Sequence, residues 1–195
     1  MTLRFEALSG TQSAPIIDGL AALRIRVFRD WPYLYDGGLD YERGYLHAYR
    51  DNPRAIIVAA FDDAELVGAS TGLPLQDADA EFAQAFQNTE HDPAEIFYCA
   101  ESVLLPQYRG QGAGHRFFDL REGHARALGY RKTAFCSVIR PADHPARPED
   151  YRPLDAFWHA RGYAPLDSVI AQFSWRDLGA QEDSLKPLQF WMRDI

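Results

Sequence analysis

The chain has 195 residues, 47% hydrophobic and 25% charged, which excludes wholesale disorder and suits a single domain over residues 1–195. With 28 acidic residues against 20 basic ones the formal charge is −8, which argues against a nucleic-acid partner, because binding phosphates needs a basic face. Cys99 and Cys136 make neither a disulfide framework nor a zinc pattern, and no histidine pair has ligand spacing, so no metal is expected.

The opening MTLRFEALSG lacks the apolar core of a signal peptide, and no run approaches ~18 apolar residues, so a cytoplasmic chain without membrane contact is expected. Alternation predicts a strand over Thr2–Leu8 and helical spacing a helix over Ser13–Arg29, with Ser13 as N-cap. The loop Asp30–Gly38 (DWPYLYDGG) carries Trp31, Tyr33 and Tyr35, and a second helix follows over Asp40–Arg50. Ala55–Phe61 and Glu65–Leu73 read as a hairpin, and Asp79–Asn88 as a short helix. Ile96–Leu105 (IFYCAESVLL) reads as one strong strand stopped by Pro106.

Beyond it, a helix spans Gly112–Leu128, a strand Arg131–Ile139, and a proline-rich loop Pro141–Pro153. A short helix, Leu154–Arg161, precedes two last strands, Tyr163–Trp175 and Ser184–Asp194. This order gives a mixed α/β fold rather than the strict alternation of a doubly wound sheet.

The chemistry concentrates at Glu101–Gly114 (ESVLLPQYRGQGAG), a buried strand followed by a glycine-rich turn and a helix start. Amides at a helix N-terminus lack intrahelical acceptors and carry the positive end of the dipole, and glycines let an anion approach closely. The dinucleotide spacing G-x-G-x-x-G fails, because His115 stands where the third glycine should be, and no Gly-Lys-Ser/Thr follows for a P-loop.

The spacing that fits is R-x-x-G-x-G, at Arg109, Gly112 and Gly114, with Tyr108 before the arginine. Together with FWHARGY at Phe157–Tyr163 and the element order, it resembles the GNAT superfamily of acyl-CoA N-acyltransferases. The resemblance implies a central, mixed, mostly antiparallel sheet of about seven strands flanked by helices, and transfer of an acetyl or short acyl group from acetyl-CoA to a primary amine in a ternary complex. It further implies main-chain contacts to the coenzyme arm from Val103, Leu104 and Leu105, with the Leu104 amide polarising the thioester carbonyl. Amides from Gly110, Gln111, Gly112, Ala113 and Gly114 would face the pyrophosphate. Arg109, and Arg116 less directly, would add charge.

An amine nucleophile needs a base, and Glu101, alone in an uncharged strand, is the candidate, with Glu95 as runner-up. Trp158 stands where many family members carry a tyrosine acid, so that role stays open among Tyr151, Cys136, Ser137 and solvent. Trp158, Phe157 and Arg161 read as packing beside the coenzyme arm. Tyr33 and Tyr35 are the candidate acceptor contacts, tilting the acceptor toward a small-molecule amine. The competing readings are a non-catalytic acyl-CoA-binding module and a protein-modifying acetyltransferase, and the family allows a homodimer through Ser184–Asp194.

Overall fold

A computed structural model describes residues 3–195, so Thr2, the start of the expected first strand, lies outside the described residues. β1 (Arg4–Leu8) leads through a 3₁₀ turn (Gly10–Ile16) into α1 (Ile17–Phe28). Ser9, not Ser13, caps this segment: its amide donates to the Gln12 side chain at 3.2 Å, while Ser13 Oγ donates to the Gly10 carbonyl at 2.8 Å. α2 (Leu39–Asp51), the hairpin β2 (Ile56–Asp62) and β3 (Glu65–Pro74), and α3 (Ala80–Gln84) follow near the expected places.

The expected long strand Ile96–Leu105 is instead two, β4 (Ile96–Tyr98) and β5 (Ser102–Leu104). α4 (Ala113–Ala127), β6 (Lys132–Val138), α5 (Asp155–Ala160), β7 (Ala164–Trp175) and β8 (Ser184–Asp194) complete the fold. The division of that strand makes the sheet eight-stranded, in the order β1-β2-β3-β4-β6-β8-β7, with β5 paired to β3. β4 and β6 run parallel, and the other pairs are antiparallel.

β8 lies inside the sheet between β6 and β7, so the free edge at that end of the sheet belongs to β7. Edge-to-edge pairing through Ser184–Asp194 therefore has no open strand edge to use.

The sheet is buried on both faces. On one, Leu20, Leu23 and Phe28 of α1 and Leu46 and Tyr49 of α2 pack on Ile57, Ala69, Tyr98, Val103 and Cys136. On the other, Phe117, Phe118 and Ala125 of α4 pack on Val58, Phe97, Cys99, Phe135 and Trp191. The apolar residues recur at 3–4-residue spacing in the helices and alternate in the strands, so each element delivers a stripe to its face.

Candidate active site

Gly110 and Gly112 hold φ of 74° and 86°, a left-handed conformation that glycine adopts without the steric cost of a Cβ. Gly112 is the N-cap of α4, and Arg116 is the first residue of the helix to donate back, to the Gly112 carbonyl at 3.2 Å. The amides of residues 110–114 find no main-chain acceptor. They form a run of donors at the positive end of a 15-residue helix, which suits a diphosphate. Gly114 has a separate reason: a Cβ there would lie 3.3 Å from the Phe157 ring, so its absence lets α5 pack against the turn.

Upstream, a one-residue β-bulge divides β4 from β5. β3 pairs Leu73 with Tyr98 before it and Ala69 with Val103 after it, a register change of one residue. At the bulge Ala100 and Glu101 both oppose Thr71: the Ala100 amide donates to the Thr71 carbonyl at 3.1 Å, and the Thr71 amide to the Glu101 carbonyl at 3.0 Å. The extra residue shifts the side-chain phase, so Ala100 and Glu101, although consecutive, both line the same cavity. The pairing of β4 with β6 ends near Ala134, where the Cys99 amide donates at 2.7 Å. From Phe135 to Val138, β6 is paired with β8 on one side and faces a gap on the other.

The Leu105 amide donates to Val67 at 3.0 Å, which fixes the phase of the β3–β5 ladder. Antiparallel geometry then turns the main-chain groups of Val103 and Leu105 toward β3, and those of Ser102 and Leu104 toward the gap. Of the three expected contact residues, Leu104 thus turns its main-chain groups to the gap, and Val103 and Leu105 turn theirs to β3. Ser102, absent from that expectation, turns its main-chain groups to the gap as well. Arg109 lies along this edge, its Nε donating to the Leu104 carbonyl at 3.2 Å.

The bulge is pinned from beneath by Arg121 of α4, which is 1% exposed. Its Nη1 donates to the carbonyls of Glu101 at 3.0 Å and Thr71 at 3.2 Å, and its Nε to Phe117 at 3.3 Å. It has no carboxylate partner among the described residues.

On the opposite face the bulge opens into a cavity of about 290 Å³, at the small end of ligand sites. Arg24 of α1 lies in it between Glu42 of α2 and Glu101, ion-paired to both. Tyr45 donates to the second Glu101 oxygen at 3.0 Å, and its own hydroxyl is 2.9 Å from that of Tyr49. Burial works against the charge of Arg24, but Glu101, Tyr45 and Glu42 outweigh it and hold the guanidinium above its ordinary range. Burial, and then the Glu101 charge, keep Tyr45 protonated.

Tyr33 and Tyr35, the predicted acceptor contacts, both line this cavity. The Tyr33 carbonyl accepts from Trp175 Nε1 at 3.0 Å and from Arg140 at 2.7 Å, which fixes the loop, and burial raises the pKa of both phenols. Cys136 lines it too, 3.0 Å from the Tyr98 hydroxyl, and burial pushes its thiol up to about 12.

The remaining predicted residues lie elsewhere. Glu95 is exposed at the start of β4 and paired with Lys132 at 3.1 Å. Trp158 packs its ring on Phe135 and Trp191, with centroids 5.0 and 5.1 Å away, within the α4-side core. Tyr151 packs on Trp31, and Ser137 accepts from Trp191 Nε1 at 3.2 Å. Arg161 is paired with Asp119 and Glu122, and Arg116 is exposed. No helix is long and apolar enough to cross a membrane among the described residues.

Residues 21–148 match the model of the Acetyltransferase (GNAT) family. A search of curated proteins finds no match to the chain. Solved structures with similar folds include the yncA protein from Salmonella typhimurium with its cofactor acetyl-CoA (TM-score 0.59, 12% identity, 100% of this chain and 93% of that one). PaiA N-acetyltransferase from Thermoplasma acidophilum, in complex with coenzyme A, gives a TM-score of 0.57 at 12% identity over 100% of both chains. Ribosomal-protein-alanine N-acetyltransferase from Brucella melitensis gives 0.61 at 12% identity, again over 100% of both.

Proposed function

The chain belongs to the GNAT family of acetyltransferases, and from that premise we propose that it transfers an acetyl group from acetyl-CoA to the primary amine of a small molecule. One observation carries this reading: the bulge that opens the strand edge next to the glycine turn also delivers Glu101 into a cavity lined by aromatic rings.

The residues present fit the co-substrate. The free amides of 110–114 suit its diphosphate, and the outward main-chain groups of Ser102 and Leu104 suit its amide-bearing arm as an added strand would. Bound acetyl-CoA supplies a thioester for the amine to attack. The chain's own groups do the rest. The open edge orients the arm toward the bulge, and the aromatic wall gives the acceptor an apolar surface to lie on.

Glu101 takes the proton that the ammonium must lose before its nitrogen can react. Both its oxygens have one partner, Arg24 or Tyr45, and a carboxylate has about four lone-pair sites, so room for a further contact remains. Of the three acid candidates only Cys136 lines the cavity, and its pair with Tyr98 holds two protons at that wall.

The test is calorimetric titration with acetyl-CoA, followed by thiol release on adding primary amines. Binding with amine-dependent release is the expected result. Absence of binding removes the reading, and tight binding with no release by any amine favours a non-catalytic acyl-CoA-binding protein.

A further inference from the structure

The charges around the cavity do not balance. Glu42, Glu101, Asp36 and Asp183 line it against only Arg24 and Arg176. Arg176 is committed to Asp36 at 3.0 Å, and Arg24 is shared by Glu42 and Glu101. One guanidinium between two carboxylates leaves the buried cluster one negative charge in excess, and a buried charge is costly unless it is paired.

Unmet hydrogen-bonding capacity remains within this cluster. Glu101 has Arg24 on one oxygen and Tyr45 on the other, and Glu42 Oε2 has Arg24. Glu42 Oε1, Glu101 Oε1 and Arg24 Nη1 are all buried with no hydrogen-bond partner among the described residues, and Glu42, on the cavity wall, is 0% exposed. Burial raises the pKa of the Tyr35 phenol, and the Glu42 carboxylate, within hydrogen-bond reach of it, raises it further. The remaining wall is apolar and largely flat, from Phe28, Phe82, Phe173 and Trp175. Ring faces of this kind attract both aromatic bodies and cations. No cation on the wall is free to receive an anionic group.

Building on the acetyltransferase reading, we propose that the acceptor is a singly charged primary amine on a flat, uncharged, apolar body, whose ammonium charge balances the excess negative charge of the Glu42–Arg24–Glu101 cluster. An α-amino acid of the same size brings a carboxylate that meets no unpaired cation and adds to the existing negative charge. Free amino acids are therefore rejected, although their amine and side chain would fit.

The wild-type protein tests this with matched probes. With saturating acetyl-CoA, thiol release is compared for 2-phenylethylamine, phenylalanine and phenylalanine methyl ester. The expected order of kcat/KM places 2-phenylethylamine about a hundredfold above phenylalanine, with the ester recovering most of the difference. Glu42→Gln should raise KM for 2-phenylethylamine at least tenfold with a smaller change in kcat, while its acetyl-CoA affinity, read by titration, shows that it is folded. Phenylalanine turning over as fast as 2-phenylethylamine, or the ester no faster than phenylalanine, overturns the proposal and leaves acetyl transfer standing. Release with none of these probes nor with any other small amine, despite acetyl-CoA binding, overturns the small-amine reading itself and this inference with it.

Discussion

Arg121 reaches from inside α4 to the main-chain carbonyl of Glu101, donating through Nη1 at 3.0 Å, and to Thr71 on the neighbouring strand at 3.2 Å. The helix that begins at the glycine turn is thereby tied to the point where the strand divides.

Replacing Arg121 with Met keeps the stem but removes these charge-assisted hydrogen bonds, leaving buried carbonyls with fewer partners. Bonds of this kind contribute roughly 1.5–3 kcal/mol each. A loss of about 3 kcal/mol, and a fall in Tm of roughly 6–12 °C, is expected in a thermal melt of a chain this size. A melt within 2 °C of wild type would show that the bulge holds without its pin.

Glu101→Gln removes the proposed base while keeping the shape of the side chain. The rate at neutral pH should fall about a hundredfold, within the range general bases contribute. The deficit should shrink at high pH, where the amine is already neutral. A pH–rate profile parallel to that of wild type would assign Glu101 to structure alone.

Gly112→Ala meets no neighbouring atom, so its effect comes from φ alone. Strain of about 1 kcal/mol at the N-cap of α4 is expected, together with a roughly tenfold loss of coenzyme A affinity as the amides turn from alignment. Titration of Gly112→Ala against Gly123→Ala, a helical site with open space, separates the turn from general destabilisation.

Burial pushes the Cys99 thiol up to about 11 and the Cys136 thiol up to about 12. Both are raised above the unfolded value, so their contribution is intact below about pH 8.5 and fades as pH climbs toward 11 and 12, because the unfolded thiols ionise first. Urea midpoints of wild type should drop between pH 8 and 10.5, and the drop should be smaller for Cys136→Ala. Alkylation by iodoacetamide at pH 8 should be slower in the native protein than for a free thiol.

The glycine turn was legible because its chemistry is local: spacing, strand and helix start are all within Glu101–Gly114. The bulge was not, because nothing in IFYCAESVLL breaks the strand pattern, and the register change depends on Arg121, contributed from 20 residues downstream. The Arg24–Glu42 pair left a fainter trace. Arg24 is four residues from both Leu20 and Phe28, and Glu42 is four before Leu46, so each charge interrupts an apolar stripe. Arg121, four after Phe117 and four before Ala125, does the same. Charged residues at such positions are desolvated and must find partners, a signal that composition and motif spacing do not carry.

The single extra residue at Ala100–Glu101 also sets what the fold can tolerate. Deleting Ala100 would restore an unbroken ladder from Ile96 to Leu104, with Glu101 still opposite Thr71 and still on the cavity face. Glu101 would keep its place beside Arg24 and Tyr45, and only the step in the strand next to it would be lost.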